Sequence, residues 1–299
     1  MAQAADILVT GASGHLGRAV LNHLLDTLKI PADRIVATSR KPEELENLRA
    51  RGVELRKADF DDAASLAAAF AGVKRLLIIS TDALDEPGKR LRQHQAAVKA
   101  AETAGVTHIV YTSLPNAKTS LVSFAPDHAG TEAAIASSSI PGHTILGNTW
   151  YAENLLHSLP NALATGNWYT AAGDGGTSYI TRNDLALAAA VAVASDFTGK
   201  RTLNLFGSKA YTVDEVAELA RKATGKPLQV VQVPVEGLIQ GMIGAGLPEP
   251  VAHVYASFDT ATKAGNLAGS PDDFKALTGK EPEPFEQWFS KTGAAALSA

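Results

Sequence analysis

Short apolar runs alternate along the chain with longer stretches in which apolar residues recur at helical spacing. The runs Ile7–Thr10, Arg34–Ser39, Val53–Lys57, Arg75–Ser80, His108–Ser113 and His143–Gly147 read as strands. Between them Leu16–Leu28, Pro42–Arg51, Asp62–Phe70, Lys89–Ala104 and Asp127–Ser138 read as helices. Strands that are apolar throughout and separated by helices bury both faces. That predicts a parallel sheet covered on either side. Six strands in this rhythm predict a Rossmann-type doubly wound α/β sheet.

The rhythm changes after Gly147. "TWYAENLLHSL" reads as a helix or loop-helix, "ATGNW" as a turn and "RNDLALAAAVAVAS" as a buried helix. "TLNLFG" and "LQVVQVP" read as strands flanking the helix "TVDEVAELARKATG", whose Thr212 and Glu215 have capping-box spacing. "EGLIQGMIGAGLPEP" reads as flexible. The expected division is therefore a first domain over 1–147 and a smaller α/β C-terminal lobe over 148–299, the lobe not folding by itself.

The candidate chemistry starts at Gly11-Ala-Ser-Gly14-His15-Leu16-Gly17, which joins the first strand to the first helix. In such a turn the first glycine permits the tight bend and the second lets a pyrophosphate approach the backbone. The third lets helix and sheet pack closely. The free N–H groups of the helix start then face the phosphates. Gly11, Ser13, Gly14, His15 and Leu16 are thus candidate dinucleotide contacts. No Gly-Lys-Ser/Thr follows, which excludes a P-loop. The second strand ends in Thr38-Ser39-Arg40-Lys41, without the carboxylate that would bond a ribose 2′-OH. Arg40 can instead bind a 2′-phosphate, so NADPH (NADP+) is expected rather than NADH.

Asp59 and Phe60 follow the third strand and are placed to line an adenine pocket. Ligands of open parallel sheets sit at the carboxyl ends of strands. Ser80 and Thr81, with Tyr111, Thr112 and Ser113, are therefore expected near the nicotinamide and its ribose. Leu114 would start a loop over the ring. After the sixth strand, Asn148 is a candidate partner for a carboxamide or an acceptor carbonyl. Trp150 and Tyr151 offer flat faces to a planar aromatic acceptor, with Asn154 beside them.

Composition narrows the partners. The net charge of -4 lacks the basic excess of a nucleic-acid or anionic-membrane surface. The absence of cysteine excludes thiolate nucleophiles and Cys-ligated metals, and no metal is expected. With neither a signal-like leader nor a membrane-length apolar run, a cytoplasmic soluble protein is expected. Its partner would be a small molecule. Its oligomeric state is open, a homodimer included.

Together, "VTGASGHLG", "TSRKPEEL", "ADFDD", "HIVYTSL", "DHAGTE", "LGNTWYAEN" and "YITRNDLA" resemble the atypical short-chain dehydrogenase/reductases over nearly the whole chain. Within that superfamily the NmrA-like group is most similar, in particular type 2 NAD(P)H:quinone oxidoreductases and triphenylmethane reductases. The resemblance implies a nicotinamide-dependent reductase with a quinone or similarly conjugated acceptor. It also exposes a departure. The superfamily's usual Tyr-x-x-x-Lys pair is missing, and the corresponding helix carries His128 and Glu132 on one face. Glu132 is a candidate cofactor contact. His128 is a candidate proton donor or a merely structural helix-face histidine. A redox-sensing NmrA-type regulator that binds the dinucleotide without catalysis is the alternative.

Overall fold

The structure, a computed structural model, describes residues 5–298. In chain order the elements begin with β1 (Ile7–Val9) and α1 (His15–Asn22), which a wider turn prolongs to Thr27. Next come β2 (Ile35–Ser39), α2 (Glu46–Arg49), β3 (Glu54–Lys57), α3 (Ala63–Phe70), β4 (Arg75–Ile78), α4 (Lys89–Thr103), β5 (His108–Ser113), α5 (Ala125–Ser137) and β6 (Gly142–Asn148). They continue with α6 (Leu155–Thr165), β7 (Asn167–Thr170), β8 (Gly176–Thr177), α7 (Arg182–Ala194), β9 (Lys200–Leu205), β10 (Tyr211–Thr212), α8 (Val213–Thr224) and β11 (Gln229–Gln232). The last are α9 (Val235–Gly244), α10 (Glu249–Lys263), α11 (Asp272–Thr278), α12 (Phe285–Trp288) and α13 (Ala294–Ser298). The described residues form two compact units, one of 5–114, 127–147 and 183–203, the other of 115–126, 148–182 and 204–298.

The first unit holds a seven-stranded sheet of order β3-β2-β1-β4-β5-β6-β9. Its pairings from β3 to β6 are all parallel. β1, β2 and β5 are buried along their whole length, as double-faced coverage requires. β3 is the edge and leaves Glu54 and Lys57 exposed, charges that discourage edge pairing. Leu8, Val36, Phe70, Leu76, Ile109 and Ile145 belong to one core cluster, each such side chain contributing roughly 1.5–3 kcal/mol. α3 starts where Asp62 accepts from Ala64 N and Ser65 N, a cap worth about 1 kcal/mol. The seventh strand was not expected here. β9 reaches β6 by long-range pairing, with His143 N donating to Gly199 O at 3.1 Å, and chain periodicity carries no trace of that partner.

The second unit contains two two-stranded sheets, β7 with β11 in parallel and β8 with β10 antiparallel. Asn167 and Trp168, expected within the turn "ATGNW", instead begin the strand Asn167–Thr170. Its ladder begins where Gln229 N donates to Gly166 O. The core is aromatic: Tyr179 stacks on Phe285 at 4.8 Å between centroids, and Trp288 and Phe289 close around the same ring. The capping box at α8 is complete in both directions. "EGLIQGMIGAGLPEP", expected to be flexible, forms α9 and the start of α10. Three glycines weaken α9's intrinsic preference. Packing overrides it, because Ile239 is buried with Ala252 and Ala256 while Leu238, Met242 and Ile243 pack alongside.

Candidate functional site

The turn Gly11–Gly17 leaves the carboxyl end of β1 and opens α1. Gly11 has φ +61°, which only glycine adopts without strain. A Cβ on Gly17 would stand 2.2 Å from Gly11 O. These two glycines serve the chain's own geometry. Gly14 differs: it is exposed, has φ −76°, and a Cβ there would meet only Gly11 O at 3.4 Å. The fold does not require glycine at that place. Ser13 is fixed beside it by Arg18 Nε on its carbonyl (2.9 Å) and by the Ser39 hydroxyl (3.2 Å). His15 is exposed and Leu16 buried in the first turn of α1. Arg40, just past β2, is exposed and makes no ion pair among the described residues, whereas Lys41 pairs with Glu44.

Asp59 and Phe60 are half-buried after β3. Asp59 Oδ1 accepts from Asp61 N at 3.0 Å, so part of this carboxylate already holds its own turn. At the end of β4, Ser80 N donates to Thr112 Oγ1 (2.9 Å) and Thr81 N donates to His94 Nε2 (2.9 Å). Ser113 donates to Glu132 Oε1 at 2.6 Å. Ser80, Thr81, Thr112, Ser113 and Glu132 are thus linked at one end of the sheet, in the first unit. Leu114, 7% exposed, follows directly.

Two residues depart from their expected placement. Tyr111 is fully buried, and its hydroxyl is 2.8 Å from His128 Nδ1 and 3.2 Å from His94 Nδ1. It points into the core and not towards the ligand end. His128 is 3% exposed and receives Arg90 Nη2 on Nε2 at 2.9 Å. Because a guanidinium only donates, the neutral ring carries its proton on Nδ1 and gives it to Tyr111. Burial, then the Arg90 charge, hold His128 well below the usual histidine range. It is a neutral buried ring and not a solvent-side proton donor.

His94 lies in the same cluster. Its Nε2 accepts Thr81 N, so Nδ1 carries the proton, 3.0 Å from Thr131 Oγ1. Thr131 in turn donates to Asp127 O at 2.7 Å. Burial and then Arg90 lower the pKa of His94 to about 3. Sequence reasoning missed Arg90 and His94. The available signal was a helix, α4, whose buried stripe contains Arg90, Gln93 and His94 among alanines.

In the second unit, Trp150 to Ala152 is stitched to Ile180: Ile180 N donates to Trp150 O and Ala152 N to Ile180 O. Arg182 lies over the Tyr151 ring at 5.7 Å. Asn148 Nδ2 is 3.4 Å from the Tyr151 hydroxyl, and Asn148 Oδ1 is buried without a hydrogen-bond partner. An orphaned amide oxygen beside the Tyr151 hydroxyl can accept from a ligand's donor such as a carboxamide N–H. Trp150 and Asn154 line a cavity of about 160 Å³ together with Trp168, Tyr255 and Phe258. The last three were not anticipated from the sequence. No helix among the described residues is long and apolar enough to cross a membrane.

A doubly wound parallel sheet with a glycine turn at the end of its first strand defines an α/β protein of the dinucleotide-binding fold class. The chain belongs to the NmrA-like family, whose sequence pattern matches residues 3–289. It is 38% identical over 272 residues to quinone oxidoreductase 2 of Escherichia coli, covering 91% of this chain and 92% of that protein. The crystal structure of the NADPH-dependent quinone oxidoreductase of E. coli complexed with NADPH matches with a TM-score of 0.89 at 35% identity, covering 98% and 100% of the two chains. Citrobacter triphenylmethane reductase complexed with NADP(H) matches with a TM-score of 0.86 at 37% identity, covering 94% and 98%.

Proposed function

We propose that this chain is an NADPH-dependent oxidoreductase that transfers hydride to a quinone or related conjugated aromatic acceptor. The observation that carries the reading is Gly14. Gly11 and Gly17 are glycine for the chain's own sake, whereas at the exposed Gly14 a Cβ would meet only Gly11 O at 3.4 Å, so glycine there would leave room for a group approaching from outside. A pyrophosphate fits that space and the free N–H groups at the start of α1. Arg40 would take the 2′-phosphate, with Asp59 and Phe60 at the adenine. Ser80, Thr81, Thr112, Ser113 and Glu132 would hold the ribose and nicotinamide. The relatives named for reducing quinones and dyes support the same class.

When bound, NADPH supplies the hydride. Asn148 would orient the acceptor by donating from its amide Nδ2 to a quinone carbonyl, and Trp150, Tyr151 and Asn154 would flank it. A reduced quinone is an aromatic oxyanion that takes its proton readily. Positioning and exclusion of wrong orientations then do most of what a dedicated acid does elsewhere. A neutral, inward-facing His128 suits that chemistry. The expected setting is the cytoplasm and the partner a small molecule, with the protein a monomer or homodimer. The test is oxidation of NADPH in the presence of a quinone panel, expected to saturate with quinone. A protein that binds NADPH and never oxidises it would be a nucleotide sensor.

A further inference from the structure

The second-unit cavity has a charge pattern of its own. Asp259 is the one charged residue among those that line it. The walls around it are Trp150, Trp168, Tyr255 and Phe258, with Tyr169 and Tyr179. Tyr169 is 54% and Tyr255 42% exposed, so both stand at a rim open to solvent. Asp259 Oδ2 accepts from Thr170 Oγ1 (2.7 Å) and Ala171 N (2.6 Å). Its Oδ1 has no donor among the described residues, and Asp259 makes no ion pair there. Lys263, one helical turn further along α10, is exposed and lays its stem along Gly173.

A carboxylate withdrawn among aromatic rings is costly without a cation. Burial pushes the Asp259 carboxyl above the usual range, against the pull of its bonds from Ala171 and Thr170. Aromatic faces attract a cation that is itself poorly hydrated, and that attraction grows as water is excluded. A metal ion prefers clustered anionic oxygens, and Asp259 is the one carboxylate among the residues that line this cavity. A bulky, weakly hydrated organic cation demands only one counter-charge and ring faces.

We propose that this cavity is a binding site for an organic ammonium cation, with Asp259 as its counter-charge and the surrounding rings as its cage. The site lies within the second unit and shares Trp150 and Asn154 with the wall proposed for the acceptor; Asp259 and a titration made without nucleotide distinguish cation binding from the reductase reading. Calorimetric titration of the full chain, without nucleotide, with benzyltrimethylammonium and with choline should show saturable binding. Dimethylbutanol, the uncharged carbon isostere of choline, should bind about tenfold more weakly or worse. Asp259→Asn keeps an acceptor for Thr170 and Ala171 while removing the charge, so it should retain the melting temperature and lose about tenfold in cation affinity. Tyr255→Ala, at the exposed rim, should weaken the cation several-fold and leave the isostere little changed. Absence of saturable cation binding, or equal binding of cation and isostere, would overturn the proposal. So would undiminished cation affinity in folded Asp259→Asn or, should that variant not fold, in Tyr255→Ala.

Discussion

His128 Nδ1 lies 2.8 Å from the hydroxyl of Tyr111, and its other ring nitrogen is taken by Arg90. Both nitrogens are committed within the core, so the ring has no proton to offer a substrate. His128→Ala should therefore reduce quinone turnover by well under the roughly hundredfold expected on losing an essential general acid. Its main effect should be on stability, by roughly 1–3 kcal/mol, because Arg90 and Tyr111 each lose a buried partner. Steady-state kinetics alongside urea unfolding separates the two. A turnover collapse at unchanged stability would restore His128 as the acid.

The same cluster makes stability depend on pH in a definite direction. His94 takes up a proton near 6.5 when unfolded and only near about 3 when folded. Its contribution is present above 6.5 and lost as pH falls towards 3, since the unfolded chain binds a proton that the fold refuses. His128, shifted the same way, adds to the slope. Each such histidine costs up to about 1.4 kcal/mol per pH unit within its window. Urea unfolding at about pH 7 and about pH 5 should show this loss, and His94→Gln should flatten it. An unchanged slope in the variant would remove His94 from the account.

Much of this was legible in advance, for physical reasons. Buried parallel strands announce themselves by unbroken apolar runs, and the Gly11–Gly17 turn by its place between strand and helix. The Thr212 cap needs only four residues to be recognised. What was not legible depends on distant partners. β9 is placed by β6, β7 by β11, and α9 by Ala252 and Ala256 of the following helix. In a strand buried on both faces, alternation no longer distinguishes the sides, so nothing in "HIVYTS" says that Tyr111 turns inward. Asp259 and its aromatic neighbours lie more than a hundred residues apart in part and meet only in the folded unit.

The glycines of the turn should separate by experiment. Gly17→Ala drives a Cβ into backbone and should destabilise by roughly 1–3 kcal/mol or more. Gly14→Val should fold with nearly wild-type stability and lose NADPH binding, because its side chain fills the space proposed for the pyrophosphate. Melting curves and calorimetry check both, and wild-type NADPH affinity in folded Gly14→Val would mean that the turn holds no phosphate.

Arg40 tests the choice of cofactor. Arg40→Ala should weaken NADPH by about tenfold or more, the loss of one charge-assisted contact, and leave NADH nearly unchanged. Calorimetry with both nucleotides reads this directly. Equal wild-type affinity for NADPH and NADH would remove the 2′-phosphate from the argument.

The most direct test of the central claim is the stoichiometry of NADPH consumed to hydroquinone formed under anaerobic steady-state conditions, with Gly14→Val as the blank. The account predicts one hydroquinone per NADPH, saturation in both substrates, and no turnover in the blank. Tight NADPH binding without any quinone-dependent consumption would contradict it.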